Sequence, residues 1–271
     1  METVRIGTSN VTRLIVGSNP FSGFSHQGHD EDREMVHYWT CARIKEALRQ
    51  AEAVGINTLI ARGDHHMMRV LLEYWDEGGK VQWFGQTCPE LGPPETTMEK
   101  MAHAGAPACH IHGGYVDHLL ANGQMDKLIP TVEHARKIGI AIGVGGHVPA
   151  VFRWAEEHLD VDYYMCSYYN PIPRKDQPQH QHGYNEAYLE EDRRAMTELI
   201  QGLSKPVIHY KVMAAGRNDP AEALQYVARS MRPTDAVCVG IFTKHKPDML
   251  KEDAMLLERS LARLKPGMRA S

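Results

Sequence analysis

Two imidazoles stand two residues apart at the close of an apolar run, Ala108-Cys109-His110-Ile111-His112-Gly113-Gly114. In an extended chain that spacing turns both side chains to one face. The pattern recurs: Asp64-His65-His66, Gly146-His147 and His209-Tyr210-Lys211 also stand where short apolar runs stop. The chain carries 16 histidines in 271 residues, a heavy load, and many fall at such ends. Imidazoles gathered there can exchange protons near neutral pH, bind first-row metals or hydrogen-bond hydroxyls. Polar groups converging from the ends of several strands make an active site, so the sequence reads as that of an enzyme.

His112 has the strongest claim to a catalytic role, because Gly113-Gly114 leaves open space above it. His110 shares its face one layer deeper and reads as a buried, hydrogen-bonded ring. Lys211 lies two residues after His209, which predicts the same face, and suits a base, a Schiff-base former or an anion contact. Asp64 or His65 would serve as acid or base. Arg62 would bind hydroxyls or pair with Asp64 at the rim. Asn19, Gln86, Tyr169 and Asn170 are candidate substrate contacts, and Arg217 in Ala214-Ala215-Gly216-Arg217 is a candidate anion contact. His112, His147 and His209, with Asp64 or His65, would also supply the imidazole and carboxylate ligands of a divalent Zn, Mn or Co site. Strand-end histidines can equally contact sugar hydroxyls directly.

The elements that must position these residues alternate regularly. Apolar runs predict strands at Leu14–Ser18, Thr58–Ala61, Val81–Gly85, Ala108–His112, Ile140–Val144, Tyr163–Ser167, Val207–Val212 and Ala236–Ile241. Helical periodicity marks Ala42–Val54, Met67–Glu77, Met125–Ile138 and Ala187–Leu203 between them. Gly55, Gly78 and Gly139 follow several of these helices as stop signals. The alternation predicts a (β/α)8 TIM barrel as one domain over residues 1–271, with an open doubly wound sheet as the alternative. Long loops at 19–37 and 170–185 leave the catalytic face. The second, with Pro171, Pro173, Pro178, His180 and His182, reads as a lid.

A net charge of −4 argues against nucleic-acid binding, and no apolar run reaches the ~20 residues that span a bilayer. The N-terminus lacks a signal-like apolar core. Five scattered cysteines without a Cys-x-x-Cys predict free thiols in a reducing cytoplasm. The expected partner is a small molecule; a homo-oligomer is left open.

Several segments resemble aldo-keto reductases. Met1–Gly17 is similar to their opening hairpin and first strand, and Gly55-Ile56-Asn57-Thr58 to the lead-in to their second strand. His112 falls at their catalytic histidine, Ile142-Gly143-Val144-Gly145-Gly146 resembles their fifth strand, and Tyr169-Asn170-Pro171 the segment after their sixth. Tyr210 and Gly216 fit the seventh. The resemblance implies a barrel with an N-terminal β-hairpin and NADPH-dependent carbonyl reduction by an Asp, Tyr, Lys and His tetrad. Here Ile60, His65 and Gln86 stand at the Asp, Tyr and Lys positions, and His112 alone is kept. No buried lysine tunes a tyrosine donor, and Gly240-Ile241-Phe242-Thr243-Lys244 shows no 2′-phosphate pattern. Gly143, Gly145 and Gly146 form no dinucleotide fingerprint, since Val148 stands where a third glycine is needed.

NADPH is therefore expected to be unlikely as a cofactor. The expected function is a non-redox lyase, isomerase or epimerase, with or without a divalent metal, on a polyhydroxylated sugar or keto-sugar. An oxidoreductase with an altered tetrad is the alternative, and a non-catalytic ligand-binding barrel the third reading.

Overall fold

The computed structural model describes residues 1–176 and 186–264. An antiparallel hairpin, β1 (Thr3–Ile6) and β2 (Ser9–Thr12), comes first. Eight parallel strands follow: β3 (Leu14–Gly17), β4 (Thr58–Arg62), β5 (Gln82–Gln86), β6 (Ala108–Ile111), β7 (Ala141–Gly146), β8 (Tyr163–Ser167), β9 (Val207–Tyr210) and β10 (Ala236–Gly240). β10 pairs with both β9 and β3, which closes the barrel. The helices of the described residues are α1 (His29–Tyr38), α2 (Cys41–Ala53), α3 (His65–Asp76), α4 (Pro94–His103), α5 (Gly113–Ala121), α6 (Leu128–Ile138), α7 (Pro149–His158), α8 (Glu190–Ile200), α9 (Pro220–Ser230) and α10 (Met249–Ala262). This is the (β/α)8 architecture that the alternation predicts, with the N-terminal hairpin that the family resemblance implies.

Alternation along each strand sorts side chains into two layers. Ile15, Ile60, Phe84, Tyr163 and Ile208 fill the interior, and Val4, Ile6 and Val11 of the hairpin join them and close one end. Their strand neighbours Val16, Leu59, Trp83 and Val207 pack outward with the helices. Gly55, Gly78 and Gly139 stop helices with φ of +82°, +89° and +75°, the left-handed geometry that ends a helix most cheaply at glycine. Cys41 is exposed, the other four cysteines are buried, and all five are free. No described helix is long and apolar enough to cross a membrane.

The expected loop 19–37 is half helical. A 3-10 turn at Asn19–Ser22 precedes α1, whose first turn carries Asp30, Glu31 and Asp32, favourable at the positive end of a helix. Of the loop 170–185, residues 177–185, with Pro178, His180 and His182, lie outside the described residues.

Gly143 shows how tightly the interior is filled. A Cβ there would lie 2.5 Å from the ring of Tyr163. Gly143→Ala is expected to destabilise the barrel by about 1–3 kcal/mol through overpacking, read as a lower urea midpoint. Adding Tyr163→Leu should restore part of the loss; an unchanged midpoint in the single variant would show that the ring moves freely.

Candidate active site

The C-terminal ends of the strands gather the polar residues. Gln86 ends β5, and its Oε1 stands 3.4 Å from Nε2 of His110 on β6. Nδ1 of His110 is buried and has no partner. Burial alone lowers this imidazole to about 3, so the ring is neutral. His112 follows as the N-cap of α5, and its Nδ1 accepts a hydrogen bond from Tyr115 N at 3.3 Å. An accepting Nδ1 places the neutral ring's proton on Nε2, which makes His112 a donor. Burial holds His112 well below the ordinary imidazole value, and Arg174, His147 and Arg62 add to the effect.

Two chains of hydrogen bonds meet beside these rings. In one, His147 Nδ1 lies 2.5 Å from Asp117 Oδ2, and its Nε2 lies 3.2 Å from the Tyr210 hydroxyl. Burial keeps His147 below its usual range although Asp117 opposes this, and burial raises Tyr210 well above its own. In the other, Lys211 Nζ lies 3.1 Å from His26 Nε2, and His26 Nδ1 lies 2.6 Å from Glu186. Burial lowers Lys211 to about 8 against the attraction of Glu186. Burial would raise Glu186, but bonds from His26 and Tyr188 hold it at about 2.

Two cavities open here and share a wall. The smaller is lined by His110, His112, His147 and Arg174; the larger, of about 350 Å³, runs past Gly17, Gly216, Gly240, Phe242, Met249 and Asp253. Asn19, Arg62, Gln86, Tyr210 and Lys211 line both.

Of the residues singled out from the sequence, Asn19, Arg62, Gln86, His112, His147 and Lys211 meet at these cavities. His110 and Tyr210 line them too, whereas Asp64, His65, Tyr169, Asn170, His209 and Arg217 do not. His65 is exposed on the first turn of α3, so it cannot be the acid at the site. Asp64 caps that helix by accepting from Met67 N at 2.9 Å and pairs with Arg62 at 3.0 Å. Tyr169 is buried, its hydroxyl accepting from Asn218. Asn170 N donates to Asp192. Arg217 lies over the Tyr188 ring and donates to the carbonyls of His26 and Ala214.

His209 corrects the expected metal set. It packs outward between Tyr168, 3.0 Å from Nδ1, and Asp235, 3.3 Å from Nε2. No group of three or more His, Cys, Asp or Glu among the described residues is placed to hold a metal ion. The expectation that Lys211 shares the face of His209 fails for a backbone reason. The strand ends at Tyr210, and Lys211 takes φ +57°, which breaks the alternation and sends its side chain to the cavity. Such strain in a non-glycine residue persists where surrounding structure holds it, often at functional sites.

Asp117, His26, Glu186 and Arg174 were not found from the sequence. Only Asp117 left a trace, as a carboxylate within the apolar stretch Tyr115-Val116-Asp117-His118-Leu119-Leu120. The other three sit in irregular segments far along the chain from their partners.

No protein-family model and no curated protein matches this chain. Solved structures do. An aldo-keto reductase from Bacillus halodurans, in its holo form, superposes with a TM-score of 0.61 at 12% identity, covering 95% of this chain and 91% of that one. A putative aldo-keto reductase from Pseudomonas aeruginosa gives 0.63 at 16%, covering 96% and 95%. A glycerol dehydrogenase from Gluconobacter oxydans gives 0.53 at 12%, covering 98% and 96%. At these identities the likeness establishes the aldo-keto-reductase-like barrel. It also overturns the preferred function. These neighbours are named reductases and a dehydrogenase, so the lyase, isomerase or epimerase reading gives way to the oxidoreductase alternative. The expectation against NADPH falls with it, since it rested on the lost tetrad and a neighbour of this build is in holo form.

Proposed function

We propose that the protein is a nicotinamide-dependent oxidoreductase with a rebuilt proton-transfer centre, acting on a small polyhydroxylated carbonyl compound or the matching alcohol. The observation that supports it is the shared wall of the two cavities, which sets a cofactor-sized cleft beside a small polar chamber.

The larger cleft suits a dinucleotide by its chemistry. Gly17 and Gly240 line it and leave no room for side chains: a Cβ on Gly17 would lie 3.0 Å from Cys238 Sγ, and one on Gly240 would lie 3.2 Å from Pro20. Lys246 and the backbone near Gly216 and Gly240 would hold the diphosphate, Phe242 and Met249 would wall the adenine, and Asp253 would accept from a ribose hydroxyl. Burial raises the Asp253 carboxyl to about 6, so it is mostly ionised at neutral pH. When bound, the nicotinamide supplies a two-electron redox centre.

In the smaller chamber the chain's own groups orient the substrate. His112 Nε2–H donates to the reacting oxygen and stabilises negative charge there. The unpartnered Nδ1 of His110 meets a substrate hydroxyl, which removes the penalty of a buried unsatisfied atom. Gln86 and Asn19 add amide contacts at the wall between the cavities. Titrating the purified protein with NADPH and with NADH, followed by nucleotide fluorescence, should give saturable binding in the low micromolar range for one of them. Absence of saturation by either at millimolar concentration would reject the oxidoreductase reading.

A further inference from the structure

Three hydrogen-bonded side chains, Asp117, His147 and Tyr210, lead to the junction of the two cavities. Tyr210, the last residue of β9, lines both of them. Its hydroxyl lies 3.2 Å from His147 Nε2 and 3.3 Å from the Gly146 carbonyl. Behind His147, Asp117 projects from α5 and holds the residue at two points. Oδ1 accepts from the His147 backbone N–H at 3.0 Å, and Oδ2 accepts from the ring Nδ1 at 2.5 Å. Both side chains are buried, at 7% and 5% exposure. A carboxylate on Nδ1 keeps that nitrogen protonated and leaves Nε2 as the acceptor for the tyrosine O–H. The three residues come from a helix, a post-strand loop and a strand end, so only closure of the barrel aligns them.

Packing around the chain of bonds admits nothing larger. A Cβ on Gly113 would lie 3.0 Å from the Tyr210 hydroxyl and 3.2 Å from the His147 ring. The bare glycine after His112 therefore serves the tyrosine and the second histidine as much as His112 itself.

We infer that Asp117, His147 and Tyr210 form a proton relay, with the Tyr210 hydroxyl as the group that exchanges a proton with the substrate oxygen. His147 and Asp117 act through the tyrosine and are positioning residues. The direction of transfer follows from the tautomer. Oxidation of an alcohol removes two electrons with the carbinol hydrogen, which go to the oxidised nicotinamide, and one proton from the hydroxyl. That proton passes to Tyr210 Oη as the tyrosine's own proton moves to His147 Nε2, forming an imidazolium beside Asp117. Carbonyl reduction runs the same proton path backwards. The cations that bear on the relay are Arg174, which acts on both rings, and Lys211, which acts on His147. Arg174 favours the phenolate and opposes the imidazolium, Lys211 opposes the imidazolium, and Asp117 acts in the reverse sense on both.

The relay's reaction rests on the oxidoreductase reading, but its hydrogen bonds do not, so two readouts separate them. The first is proton and nitrogen NMR of the free protein. A far-downfield His147 Nδ1 proton is expected in the wild type, lost in Asp117→Asn and kept but shifted in Tyr210→Phe. The second is steady-state turnover of glyceraldehyde with reduced nicotinamide and of glycerol with the oxidised form. Tyr210→Phe should lower kcat about 100-fold or more, with nucleotide affinity within about threefold of wild type. His147→Gln, checked for folding by circular dichroism, should lower kcat and flatten the pH–rate profile with KM little changed. Wild-type kcat in Tyr210→Phe overturns the relay, and so does the lack of a downfield proton in the wild type. Failure to bind nicotinamide defeats the oxidoreductase reading alone, and the NMR readout then decides the relay.

Discussion

His112→Ala is expected to lower kcat/KM about 100- to 1,000-fold, the usual effect of removing one donor to a developing oxyanion. The argument runs from the hydrogen bond that orients the ring. Tyr115 N donates to Nδ1, so the proton sits on Nε2, the ring's remaining polar atom in a side chain that lines the small cavity. Burial keeps the ring uncharged, so it donates without giving up its proton and complements the relay at Tyr210. Nucleotide affinity should stay within about threefold, because His112 lines the small chamber and not the large cleft. His112 also caps α5, and losing that cap costs about 0.5–2 kcal/mol of stability. His112→Asn retains a capping side chain and separates the two effects: it should recover the stability and not the rate. His65→Ala, on an exposed turn away from the cavities, should keep wild-type turnover. Full activity in His112→Ala, at wild-type stability, would remove this residue from the mechanism.

The largest effect on stability is expected at Asp235, in the turn that leads into β10. Its carboxylate is fully buried and accepts from Val207 N at 2.9 Å, from Arg232 Nε at 3.0 Å and Nη2 at 2.9 Å, and faces His209 Nε2 at 3.3 Å. Asp235→Ala removes the only carboxylate among the described residues paired with Arg232 and His209, leaving Arg232 the Leu203 and Lys205 carbonyls and His209 the Tyr168 hydroxyl. It should destabilise the fold by about 3–5 kcal/mol, measured by urea unfolding at neutral pH. Burial would raise this carboxyl, but the bonds from His209 and Arg232 hold it well below the ordinary range. A group depressed in the folded state contributes its stability above its unfolded value, about 3.9, and loses it as pH falls below that. The wild type should therefore lose stability steeply below about pH 4, and Asp235→Ala less steeply. A change under about 1 kcal/mol at neutral pH would mean that water replaces the carboxylate.

The outcome at individual residues shows which information is local. The period-two spacing of His110 and His112 predicted a shared face, and both rings do line one cavity. The same rule failed at His209 and Lys211. It assumes an unbroken strand, and the left-handed φ at Lys211 interrupts it. His65 stood beside the correct strand end but one position into a helix, where the chain turns the ring to solvent. Half of the loop 19–37 is α1, whose first turn carries Asp30, Glu31 and Asp32 where the helix dipole favours negative charge.

By itself the sequence determined the barrel, through periodicity and glycine stop signals, which act within a turn or a strand; the hairpin came from the resemblance of Met1–Gly17 to aldo-keto reductases. The sequence did not determine the chemistry. Asp117 and His147 are 30 residues apart, and His147 and Tyr210 are 63 apart. Lys211 and His26 are separated by 185. No local pattern encodes such pairs, because they meet only after eight strands close a ring. With Ile60, His65 and Gln86 read at the tetrad positions, the sequence alone points away from redox chemistry for that reason. Tertiary structure decided that a tyrosine and a lysine return to the same cavity from β9 and the residue after it.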